Sequence, residues 1–129
     1  MVDYIRQGDV SVFPVSSSFD APIVADGRAI LALGESTGHM HVIEAPKTRY
    51  TTDAAVIAAL KVELVQKGIL MPDADTVAGG IIVEQDADFW HGNHDRSNPD
   101  HGTHIVLPGR YAVLREREYS PAEIRQVAD

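Results

Sequence analysis

The chain has 129 residues, with 11 basic and 19 acidic side chains, a net charge of −8, six histidines and no cysteine. Its length suits one domain, spanning 1–129, able to bury roughly two-thirds of its unfolded surface. The acidic balance argues against a nucleic-acid or membrane-surface protein, whose affinity rests on excess Lys and Arg. Without thiols there is no disulfide framework, thiolate zinc site or cysteine nucleophile, so any metal must be held by His, Asp or Glu.

The segment from Met1 to Gln7 has no apolar run of signal-peptide length, and stretches such as Ala54–Leu60 are too short to span a bilayer. These features predict a cytoplasmic protein. Val10 to Val15 is β-branched and aromatic and reads as a strand, with Pro14 placing it at an edge or a strand end. Asp26-Gly27 is a hairpin-type turn signal. Arg28 to Leu33 reads as a second strand, Gly34 to Gly38 as a tight loop, and His39 to Glu44 as a third strand that Pro46 ends.

The period then changes. Val56, Leu60 and Leu64 recur at four-residue steps, which predicts a helix over 53–67. Thr52 or Asp53 can cap it, and Gly68 can supply a left-handed stop. Strands resume at Gly80 to Glu84, with Asp86 to Trp90 either continuing the strand or bending away. A polar loop follows over 92–100. Thr103 to Leu107 and Arg110 to Tyr119 read as the last strands, and Ser120-Pro121-Ala122-Glu123 starts a short terminal helix. The expected fold is mainly β: a small single-domain barrel or sandwich with an inserted helix and a C-terminal helix.

All six histidines lie in two clusters: His39 and His41, then His91, His94, His101 and His104. On a strand, His39 and His41 leave the same face and can grip one ion without backbone strain. The ion would be divalent Zn, Fe, Ni or Mn, which imidazole suits. Among His101, His91 and His104, in that order of preference, one completes the set. His94 sits mid-loop and faces water. Glu44, three residues beyond His41, points to the opposite face.

Gly34-x4-His39-x-His41 resembles half of the first cupin motif. That resemblance implies a small β-barrel with an internal divalent metal, and pairing of copies through edge strands. A second resemblance is wider. Arg6-Gln7-Gly8-Asp9-Val10, Thr37-Gly38-His39-x-His41, Leu107-Pro108-Gly109-Arg110-Tyr111 and Arg117-Glu118-Tyr119 together are similar to a set of small uncharacterised bacterial proteins. It brings no activity, and it implies His91 and His101 as the downstream partners because they flank the inserted loop.

Three functions follow as expectations. The first is a metal site acting on, or simply holding, a small molecule. The second is a protein-interaction module that catalyses nothing. The third is metal-free histidine acid–base chemistry on a phosphoester or RNA, for which His101-Gly102-Thr103 supplies one of the two HxT tripeptides that two-histidine phosphoesterases need. There is no GxSxG elbow, GxGxxG turn or Walker loop. On the final strand Arg115, Arg117 and Tyr119 share a face. They form either a salt-laced surface or a grip for a small anionic ligand.

Overall fold

The computed structural model describes residues 4–33, 40–92 and 103–115. In chain order the elements are β1 (Ile5–Gln7), β2 (Val10–Pro14), β3 (Arg28–Leu33), β4 (Met40–Glu44), β5 (Arg49–Thr51), α1 (Ala54–Gln66), β6 (Val77–Val83), β7 (Ala87–Gly92), β8 (His104–Val106) and β9 (Gly109–Arg115). The protein is mainly β. Two antiparallel sheets pack face to face, one ordered β1-β2-β9-β6-β5 and the other β3-β4-β7-β8.

Strand alternation builds the space between the sheets. From the first sheet come Val10, Val12, Ile81, Val83 and Val113; from the second, Ala29, Leu31, Ile43, Phe89 and Val106. Each points inward because its neighbours in sequence point out. The barrel alternative does not hold: among the described residues no ladder joins the edges β1 and β5 to the edges β3 and β8. Three of those four edge strands have only three residues each. The sandwich alternative stands.

β1 and β5 have no sequence signal of their own, since three residues show no alternation. Asp26-Gly27 lies in a 3-10 turn (Ala25–Gly27) that leads into β3, and it joins no hairpin. The segment 86–90 turns away from β6 and enters the second sheet as β7. The predicted C-terminal helix, and the strand beyond Arg115, lie outside the described residues.

Helix α1 covers the outer face of the first sheet, burying Leu60 and Leu64 fully against Ala112 and Leu114. Asp53 caps it, accepting from the backbone N–H groups of Ala55 and Val56. Gly68 ends it at φ +77°, while Ile69 N–H reaches the Leu64 carbonyl at 2.9 Å. Glu63 ties the helix to the loop after β2. It accepts from the backbone N–H groups of Ser16 and Ser17 and pairs with Lys67 at 2.6 Å. Burial pushes its carboxyl up, but Lys67, the Ser17 hydroxyl and the two N–H groups outweigh burial and hold it down at about 2. No helix among the described residues is long and apolar enough to cross a membrane.

Candidate functional site

β4 and β7 lie side by side, and their register sets His41 directly opposite His91. Both point into the sandwich and both are 2 % exposed. Their rings stack, with centroids 3.9 Å apart and planes 9° from parallel. Adjacent strands bring directly opposed residues this close by their normal spacing, so backbone pairing alone makes the contact.

The first sheet supplies the other polar groups at this end. Asp9, in the turn between β1 and β2, is 7 % exposed. One of its oxygens, Oδ1, lies 3.4 Å from His41 Nε2, and the other, Oδ2, lies 3.5 Å from Arg115 Nε. The facing imidazole is the largest influence on Asp9. With Arg115 it holds the carboxyl below its ordinary value of 3.8, although burial opposes this. Gln7 is 2 % exposed and spans the two sheets, its Nε2 donating to the Phe89 carbonyl at 2.8 Å.

Polar groups this deep are normally hydrogen-bonded. His41 is an exception: neither Nδ1 nor Nε2 has a hydrogen-bond partner among the described residues. The 3.4 Å approach of Asp9 is an electrostatic contact rather than a well-formed bond. Leaving a buried polar atom unsatisfied costs about 1–3 kcal/mol. Such an atom can take a partner from outside the chain, and a buried water serves as well as an ion or ligand.

The other face of the same strands differs. Glu44 lies opposite in direction to His41, as strand parity requires. It accepts from Trp90 Nε1 at 3.0 Å and from Arg28 Nε at 3.0 Å, and the Arg28 guanidinium lies 5.4 Å from the Trp90 ring centre.

Of the histidines expected to form a metal site, the structure brings together His41 and His91. His104 is exposed on β8, paired in register with Phe89 rather than with His91. His39, His94 and His101 lie outside the described residues. No group of three His, Asp or Glu among the described residues is arranged to hold a metal. Asp9 and Gln7 were missed as site residues because an Asp after a Gly reads as turn chemistry and a Gln beside it as surface. Nothing local marks either as buried.

No curated protein and no solved structure matches the chain significantly. One family model does match, over residues 6–116, a span that takes in Gln7, Asp9, His41, His91 and Arg115. The chain therefore belongs to the family described as Domain of unknown function (DUF8820).

Proposed function

We propose that the polar end of the sandwich binds a divalent metal ion, Zn, Fe, Ni or Mn, with His41 and His91 among its ligands. The observation that carries this reading is the His41 ring, nearly sealed from water, with both nitrogens lacking hydrogen bonds among the described residues. Asp9 beside Nε2 is the kind of carboxylate that orients a ligating imidazole and raises its basicity, leaving Nδ1 for an ion. The stacked rings do not yet converge. Lone pairs lie in the ring planes, and near-parallel planes 3.9 Å apart cannot both meet an ion at about 2.0–2.1 Å. Binding therefore requires one ring to turn. His39 and His101 are the further donors, since His39 precedes the first residue of β4 and His101 follows β7 by sequence. An ion held there would supply Lewis acidity to a small molecule in a cytoplasmic setting.

Metal analysis of protein purified without a histidine tag tests this. We expect close to one equivalent after loading with Zn, Fe, Ni or Mn, and loss of that equivalent in His41→Ala/His91→Ala. A stoichiometry near zero under every loading condition overturns it.

A second reading has its own support. The parallel stack, and the Asp9–His41 pair it leaves facing Arg115, suit metal-free acid–base chemistry by His41. Phosphoesterase or ribonuclease activity that survives EDTA and is lost in His41→Ala would favour it over the metal.

A further inference from the structure

The gap between the edge of one sheet and the rim of the other is a cleft of about 410 Å³. That size falls within the range of small-molecule sites. Leu31 of β3, Tyr50 of β5, Ile57 of α1 and Val77 of β6 form apolar walls, and Arg115, at the end of β9, forms part of the lining. Gly79 shapes the Tyr50 side. A Cβ there would lie 2.6 Å from the Thr51 carbonyl oxygen and 2.9 Å from the Tyr50 hydroxyl, so only glycine lets β5 and its tyrosine close on β6. A bulge in β6 at the same place, between Val77 and Gly79, opens the ladder beside the cleft.

Arg115 is held for use. Its backbone N–H donates to the Thr76 carbonyl at 2.8 Å, which fixes its position on the wall. Its Nε faces Asp9 Oδ2 at 3.5 Å. Its guanidinium is thus ion-paired with Asp9, but its two terminal nitrogens donate no hydrogen bond among the described residues, and the side chain is 45 % exposed. A second observation points the same way. The Thr76 hydroxyl, on the same lining, is buried and has no hydrogen-bond partner among the described residues.

We propose that this cleft binds a small apolar monocarboxylate, its charged group on the terminal nitrogens of Arg115 and its hydrocarbon body against Leu31, Tyr50, Ile57 and Val77. A guanidinium edge matches two carboxylate oxygens in geometry. Asp75 on the cleft lining and Asp9 beside the same guanidinium both oppose an anion, so one ligand charge is tolerated better than the two of a dianion such as phosphate. The proposal does not depend on a metal. Asp9 joins Arg115 to His41, however, so a carboxylate in the cleft would lie beside the histidine pair.

The test is an NMR titration of the isotope-labelled full chain with hexanoate, in EDTA, with hexylamine and inorganic phosphate run alongside. Hexanoate should shift the amides of Thr76, Val77 and Arg115 saturably, with a Kd on the order of 1 mM. Arg115→Gln should weaken binding about tenfold or more, the usual consequence of losing a charged hydrogen-bond pair. Ile57→Trp fills the cleft from the helix without touching the Asp9 pair. It should also abolish the shifts, so the result does not hang on one variant's folding. Absence of saturable shifts overturns the proposal. So do equal responses to hexylamine or phosphate, or Arg115→Gln and Ile57→Trp proteins that bind as the parent does.

Discussion

Strands β4 and β7 carry two polar clusters back to back. On the outer face, Glu44, Trp90 and Arg28 bind one another at 3.0 Å contacts. On the inner face, one pleat away, His41 and His91 stack with Asp9 beside them, and both His41 nitrogens go without a hydrogen bond among the described residues. The clusters share strands and register. They differ in whether their polar atoms are satisfied. A satisfied buried network rigidifies and specifies a fold, whereas an unsatisfied one costs stability that a water, ligand, ion or proton can return. Residue type alone does not separate the two, because glutamate and histidine can both ligate a metal.

The largest test of that contrast is on the outer face. Trp90→Ala should destabilise the protein by about 3–5 kcal/mol in denaturant unfolding, through the lost aromatic volume and the partner taken from Glu44. Metal uptake by the molecules that remain folded should be unchanged. Loss of uptake in a folded Trp90 variant would break the division between the faces.

Acid provides a second test, through a carboxylate that belongs to neither cluster. Glu63 has a folded value of about 2 against 4.5 ordinarily. Its contribution is fully present above 4.5 and disappears as pH falls through about 2. Glu63→Ala should cost about 2 kcal/mol at neutral pH and flatten the acid limb of the stability profile. Asp9, also lowered, acts in the same direction, so Asp9→Asn should flatten that limb further. A profile unchanged in both variants would remove the electrostatic account of these sites.

The smallest expected effect is the most discriminating. Asp9→Asn with His41→Phe removes the unsatisfied imidazole and the charge that faces it. Its stability should stay within about 1 kcal/mol of the parent, on either side, while metal uptake is lost. A loss of several kcal/mol would mean that the inner cluster is as structural as the outer one.

Much of the fold was legible locally. The helix over 53–67 declared itself by apolar recurrence, its Asp53 cap and its Gly68 stop, and it spans Ala54–Gln66. Strands β2, β3, β4, β6, β8 and β9 lay where β-branched runs met turn residues. The short edge strands β1 and β5 were not legible, because three residues are strands only by virtue of the neighbour they bond. The choice between barrel and sandwich also needed the pairing of edges, which no local pattern encodes.

The site divided in the same way. The sequence by itself determined that any metal must rest on His, Asp or Glu, that the histidines fall in two groups, and that Glu44 faces away from His41. All of these follow from composition, or from the two-residue period of a strand. Only the tertiary structure decided that His41 meets His91, that Asp9 from the other sheet reaches His41, and that Arg115 links this pair to a cleft. Those contacts join residues dozens of positions apart. They come from strand register and from the packing of one sheet on the other, which arise only when the chain buries its apolar faces together.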